Sequence, residues 1–308
     1  RRLMSISVKI LGSNASSFAY NRHHTSQVVE VDHKHFMVDC GESTQLQAKK
    51  YNVKLSKINH ILISHLHGDH CYGLLGLLST MQLYGRKQAL TLIGPPGLSE
   101  MITIQLKHSK TVFNFPIELT EWKEGIQELL VDLPTLTIKS IPMKHSIPCA
   151  GFLFEEKPNF RRINKDYLTE TLNPLEIKQL KSGIDVLHED GSTKYSNEKF
   201  TFPPKKYHSY AFCSDTKYDE ELIKWIRGVD LLYHEATFMD EMKERAYLTF
   251  HTTAKQAGRI ATAARVGKLT IGHFSTRYKD LSPLLREVKT EFENAHLALE
   301  GRIFEINE

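Results

Sequence analysis

The 308-residue sequence predicts an α/β protein in which two mixed sheets stack with helices outside, a four-layer αββα arrangement. Three observations lead there. Both halves of the chain follow one coarse plan, short apolar or alternating segments and then helical ones. Four of the strand-like segments are followed within three residues by an imidazole or a carboxylate, so candidate ligands can converge at one sheet edge. Between the halves lies a charged stretch without that patterning, which reads as an insertion.

The elements follow in order. Residues 6–11, 27–31 and 35–39 read as strands, and Asp39-Cys40-Gly41-Glu42 closes the third and opens a helix to about Tyr51. Residues 58–64 form the next strand. Residues 72–84, with Leu74, Leu75, Leu77, Leu78, Met81 and Leu83, are apolar nearly all round and predict a buried helix. A strand at 90–93 is stopped by Gly94-Pro95-Pro96-Gly97, and a helix runs from Leu98 toward His108. Strands follow at 117–121, 127–131 and 136–142, the last leading to His145, and a further one at 149–154. Residues 155–206 carry ten Lys and Arg against nine Asp and Glu and show little apolar periodicity beyond a short helix at 175–180. They are expected to protrude as an arm from a single domain spanning 1–308, with the basic cluster Lys157, Arg161, Arg162 and Lys165 at their start. A solvated excursion and a substrate-binding surface both fit that cluster. The core resumes with a strand at 209–213 that ends at Asp215, a helix at 219–227 and a strand at 230–234. A helix capped by Thr252 or Thr253 then reaches about Arg265. A strand at 268–272 ends at His273, a helix covers 283–292, and two short strands finish the chain.

Composition excludes some functions and leaves others open. Lys and Arg outnumber Asp and Glu by 40 to 36, a mild lean toward polyanionic partners that does not by itself argue for nucleic acid. No apolar run approaches the roughly 20 residues that span a bilayer. Arg1-Arg2-Leu3-Met4 is followed by the alternating residues 5–11, which read as a first strand and not as the apolar core of a signal peptide, so no membrane partner is expected, and a cytoplasmic location is expected from the cysteines. Cys40, Cys71, Cys149 and Cys213 form no CxxC pair and read as reduced thiols on buried strands.

Ser64-His65-Leu66-His67-Gly68-Asp69-His70 concentrates three imidazoles and a carboxylate just beyond an apolar strand. One helix face would space ligands at i and i+4, which this spacing does not do. A strand entering a tight loop at Gly68 can turn these side chains toward one point. Imidazole with carboxylate suits zinc and its neighbours among divalent metals. With His145, Asp215 and His273 at the ends of other strands there are seven candidate ligands. That is too many for one tetrahedral zinc and enough for two metals roughly 3.5 to 4 Å apart sharing a carboxylate.

The pattern H-x-H-x-D-H followed by a lone His, a lone Asp and a last His resembles the metallo-β-lactamase superfamily. The flanking motifs resemble the ribonuclease Z family of tRNA 3'-processing endonucleases. They are Val38-Asp39-Cys40-Gly41-Glu42 with Thr44-Gln45, Ser214-Asp215-Thr216, His234-Glu235-Ala236-Thr237, His251-Thr252-Thr253, and His273-Phe274-Ser275 with Arg277-Tyr278. Departures are a Gly12 to Ser17 turn without the family's usual Pro, Ser43 and Ser214 where Gly is common, and an arm without a Gly-Pro motif, where Asn173-Pro174-Leu175 stands closest.

The resemblance implies a metallo-β-lactamase fold and two zinc ions per subunit, other divalent metals being possible. His65, His67 and His145 would hold one ion and Asp69, His70 and His273 the other, with Asp215 bridging and Asp39 accepting from a ligand imidazole. It further implies that Asp69 orients and deprotonates the attacking water, while His251 protonates the leaving oxygen with support from Glu235. Taken alone, a His ahead of a helix and a Glu after a buried strand fit a structural role as well. Arg277 and Ser275 are candidate phosphate contacts, Arg277 equally a solvated surface residue. The implied substrate is precursor tRNA, cut after the discriminator base to leave a tRNA 3'-hydroxyl and a trailer 5'-phosphate, by a homodimer. Rival readings are another phosphodiesterase or small-molecule hydrolase on the same core, and a non-catalytic RNA-binding protein.

Overall fold

Ile6, Val8 and Ile10 of β1 (Ile6–Gly12) are fully buried, while Ser7 and Lys9 between them are half-buried. This period-two rule builds both sheets. The structure, a computed structural model, describes residues 6–157, 160–167, 172–204 and 207–306. β2 (Ser26–Val31) and β3 (Lys34–Val38) follow β1 antiparallel. β4 (Ile58–Leu62), β5 (Leu90–Gly94) and β6 (Ile117–Glu121) then add in parallel. β7 (Leu129–Asp132), β8 (Leu136–Pro142) and β9 (Ala150–Glu156) open a second sheet. After the short arm strands β10 (Arg162–Ile163), β11 (Val186–Leu187), β12 (Thr193–Tyr195) and β13 (Thr201–Phe202), β14 (Ser209–Cys213) pairs antiparallel with β9. β15 (Leu231–Glu235), β16 (Lys268–Gly272) and β17 (Ala295–Leu297) continue in parallel, and β18 (Ile303–Ile306) returns to the first sheet beside β1.

Alternation sorts the side chains into layers. Phe36 and Val38, Leu62, Phe152 and Phe154, Tyr210 and Phe212, and Tyr233 form one core between the sheets. Their strand neighbours Met37 and Ile61 face outward to the helices α1 (Thr44–Lys50), α3 (Leu74–Leu83) and α4 (Leu98–Ser109). On the other side Leu153, Ala211 and Leu232 face α7 (Leu222–Ile226), α9 (Ala254–Ala264) and α10 (Ser282–Lys289). The expected αββα order is the one observed. Thr253 caps α9: its hydroxyl accepts from Gln256 N, and the Gln256 side chain answers at Thr253 N.

Two elements differ from expectation. The segment 72–84 narrows to α3, preceded by a separate short helix, α2 (Gly68–Cys71), and it is not buried all round, since Tyr72, Leu83 and Tyr84 are 71%, 83% and 75% exposed. A helix at Lys243–Leu248 precedes His251, where the charged sequence shows little apolar face. The chain also divides into two compact units, Arg1–Glu155 with His208–Asn307, and Glu156–Tyr207. The second unit holds its own small core of Leu172, Leu180, Val186 and Tyr195, packed by Ile163, Ile177 and Phe200. Its strands are two or three residues long, too short for a period to register in the sequence. Among the described residues no helix is long and apolar enough to cross a membrane. All four cysteines are free and buried. Burial pushes the Cys71 thiol up to about 12 and raises the other three as well.

Candidate metal centre

Six strand ends deliver the site. β3 ends in Asp39, β4 runs into Ser64 and His65, β8 leads to His145, β14 to Asp215, β15 to Glu235, and β16 to His273. Asp39, Asp215 and His273 turn sharply off their strands at φ of 57°, 57° and 59°. Left-handed backbone costs about 1–2 kcal/mol per non-glycine residue, so the surroundings impose it here. The sheets meet at this edge, where Ala150 N donates to Ser64 O at 3.1 Å.

The donors fall into two sets around one carboxylate. Asp215 Oδ2 faces His65 Nε2 at 3.5 Å and His145 Nε2 at 3.8 Å, while His67 Nδ1 stands 3.1 Å from His65 Nε2 and 3.2 Å from His145 Nε2. Asp215 Oδ1 lies 3.2 Å from both His70 Nε2 and His273 Nε2, which are 3.3 Å from each other. Asp69 Oδ2 completes this second set at 3.8 and 3.5 Å from the same two nitrogens. Ligands about 2.0–2.1 Å from a zinc ion at tetrahedral corners stand about 3.3 Å apart, so each set has the edge lengths of one ion's coordination shell.

The far sides of the rings fix their tautomers. His70 Nδ1 donates to Asp39 Oδ2 at 2.7 Å, and His65 Nδ1 to Ser64 Oγ at 3.0 Å, that hydroxyl in turn donating to Asp39 Oδ2 at 2.9 Å. His145 Nδ1 donates to Phe250 O at 3.2 Å, and His273 Nδ1 to Thr237 Oγ1 at 2.9 Å. Each of the four Nε2 atoms therefore turns a lone pair inward, toward other lone pairs and carboxylate oxygens. Acceptors aimed at one another in a buried space call for a cation between them, and these residues fit divalent metal. Burial would raise the Asp215 carboxyl, but the facing His273, His70 and His65 rings hold it well below the usual carboxylate range.

Beside the two sets, Glu235 is fully buried and accepts four hydrogen bonds. Oε1 takes them from His251 Nδ1 at 3.0 Å and Thr216 N at 2.7 Å, and Oε2 from Thr237 Oγ1 at 2.6 Å and Thr252 N at 3.1 Å. Burial works to lower the His251 imidazole, but the Glu235 carboxylate overrides it and pushes the group up to about 9. His251 also brings a ring nitrogen within 4.8 Å of donor atoms on Asp215 and His273. A charged imidazole there can give up a proton at the edge of the donor sets.

Ser275 is half-buried and its N donates to Thr237 O at 3.3 Å, whereas Arg277 is exposed and its guanidinium has no hydrogen bond or ion pair among the described residues. In the arm, Arg161 Nε donates to Thr201 Oγ1 at 2.7 Å and Arg162 lies 5.6 Å over the Phe202 ring. The Lys165 side chain lies outside the described residues. Sequence reasoning missed Ser64, Thr237 and the Phe250 carbonyl. Thr237 carries a signal, standing two residues beyond Glu235, but the Phe250 carbonyl has none.

A family model described as Anti-Pycsar protein Apyc1 matches residues 6–158. The ribonuclease Z of Cytophaga hutchinsonii is 48% identical over 305 residues, covering 99% of this chain and 97% of that protein. The ribonuclease Z of Bacteroides fragilis is 42% identical over 293 residues, covering 95% and 96%. Among solved structures, human tRNase Z, short form, gives a TM-score of 0.72 at 24% identity, covering 98% of this chain and all (100%) of that one. The metallo-β-lactamase fold protein YhfI of Bacillus subtilis gives 0.70 at 17% identity, covering 99% and 100%. These last two likenesses speak to the fold.

Proposed function

Because the chain belongs to the ribonuclease Z family, we propose that its site hydrolyses precursor tRNA just 3' of the discriminator base, leaving a 3'-hydroxyl on the tRNA and a 5'-phosphate on the trailer. What carries this is the division of two donor sets between the two oxygens of Asp215, with the Glu235–His251 pair at their edge.

His65, His67 and His145 would hold one zinc ion and Asp69, His70 and His273 the other, with Asp215 shared; other divalent ions suit the same donors. Two such ions supply charge neutralisation of the phosphate oxygens and acidify water to a nucleophile near neutral pH. The chain's own residues do the rest. Asp39 fixes the ring of His70 through Nδ1. Asp69, its Oδ2 held by Ser16 N at 2.7 Å, orients the attacking water and accepts its proton. His251 carries a proton held by Glu235 and gives it to the 3' oxygen as the P–O3' bond breaks. Ser275 and the exposed Arg277 follow His273 by two and four residues, and a guanidinium there can meet a phosphate.

Lys157, Arg161, Arg162 and Lys165 make the arm the RNA-gripping part of the reading, through backbone contacts that tolerate any sequence. Exposed Leu46, Tyr72, Leu83 and Tyr84 on and beside α1 and α3 support a homodimer that covers them. Four free cysteines support a cytoplasmic setting.

The test offers the protein a precursor tRNA, an unrelated structured RNA and a small bis-phenyl phosphodiester, each with and without a chelator. Chelator-sensitive cleavage of the tRNA after its discriminator base is the expected result. Turnover of the small diester with the tRNA left whole would overturn it in favour of a small-molecule phosphodiesterase.

A further inference from the structure

The loop 14–24 between β1 and β2 is built more firmly than a surface turn needs. Arg22 spans it, with Nε on Asn14 Oδ1 at 3.0 Å and Nη2 on Tyr278 O at 2.6 Å. Ser16 N donates to Asp69 Oδ2 at 2.7 Å, so the loop touches a residue of the donor sets directly. Two residues on, Phe18 lies 46% exposed. Two residues of extended chain span at most about 7 Å, roughly one nucleotide step, so the Phe18 backbone stays within that distance of Ser16, which touches Asp69.

Phe18 is mounted rather than loose. One face stacks on the His24 ring, with centroids 4.2 Å apart and planes 19° from parallel, and His24 itself is only 7% exposed. The His23 ring meets Phe18 edge-on at 5.8 Å and is anchored by Glu300 Oε2, 2.9 Å from its Nδ1. The stack presses against the site: a Cβ on Gly41 would lie 2.4 Å from Asp69 O and 2.5 Å from His24 Cβ, so only glycine lets the two approach there. A half-exposed aromatic ring backed by a buried ring, with its remaining surface open, is the arrangement that single-stranded nucleic acid uses for base stacking.

The polarity of the cut says which base. The leaving 3' oxygen belongs to the tRNA and takes its proton from His251, whereas Phe18 hangs from the Asp69 side. The base within its reach belongs to the other product. Resting on the ribonuclease Z reading above, we propose that Phe18, backed by His24 and His23, stacks the base of the first trailer nucleotide and so positions the scissile phosphate.

The test crosses protein variants with abasic RNA. Wild type and Phe18→Ala each receive precursor tRNA with a base or an abasic sugar at the first trailer position, and kcat/KM is compared. Stacking on an aromatic ring is worth about 5- to 150-fold per base. Wild type should lose that factor on the abasic RNA and Phe18→Ala the same factor on the normal RNA, while the two changes together lose no more than either alone. Phe18→Tyr should match wild type, and Phe18→Leu, which keeps apolar bulk without a ring, should match Phe18→Ala. Losses that multiply, or a coupling of Phe18→Ala to an abasic discriminator instead, overturn the proposal. Metal content is measured on every variant, and if Phe18→Ala has lost metal the Tyr and Leu variants decide. Wild-type protein that leaves the normal precursor uncut defeats the ribonuclease Z reading itself, whereas cleavage without the coupling defeats only the stack.

Discussion

The Thr237 hydroxyl stands 2.9 Å from Nδ1 of His273 and 2.6 Å from Oε2 of Glu235. It accepts from the imidazole and donates to the carboxylate, so one oxygen ties an inward-facing ring to the group that also holds His251. Thr237→Val removes both bonds at little change in volume. Metal affinity should fall about 10- to 100-fold in a chelator competition, with Thr237→Ser keeping most of it. Unchanged affinity in the valine variant would show that His273 needs no such anchor.

His251→Ala leaves every member of the two donor sets in place. It should retain its metal, by elemental analysis, while single-turnover cleavage drops about 10²- to 10⁴-fold with the loss of a general acid. A variant that loses metal instead would make His251 a ligand, in line with its nearness to Asp215 and His273.

His251 is held up to about 9, chiefly by Glu235 against the pull of burial. A group acting as an acid is competent below its pKa, so cleavage should fall as pH rises through that value. Glu235→Gln removes the charge that raises it, and the alkaline limb of the rate profile should move to lower pH. A limb that stays where it was would detach Glu235 from the proton transfer.

Asp215 divides its oxygens between the two sets, whereas His145 serves one. Asp215→Ala should therefore cost both metal ions, and His145→Ala only one, measured as metal bound per chain. Equal stoichiometry in the two variants would contradict a shared carboxylate.

Most of this was legible before the fold. Strands 136–142, 209–213 and 268–272 read off with their observed bounds, because period two and a polar stop coincide at each. The seven candidate donors stood out as well, since imidazoles and carboxylates just past strand ends leave a mark in the sequence. What did not register is anything that depends on what covers a surface. The 72–84 segment is apolar on all sides, yet Leu83 and Tyr84 meet solvent, because composition states what could be buried and not what lies opposite. Which nitrogen of each imidazole turns inward depended on partners as remote as Phe250 and Thr237. His23 and His24 carry no ligand spacing in the sequence, and their packing against the Phe18 ring appears only in the fold.

The seam between the sheets carries one more consequence. His65, His67, Asp69 and His70 come from the first sheet, and His145, Asp215 and His273 from the second. An ion bound from both sides grips only the packed sandwich, so its binding is linked to folding, adding about 4 kcal/mol at a free metal concentration a thousandfold above Kd. Metal supply then bears on the stability of the chain as well as on its chemistry.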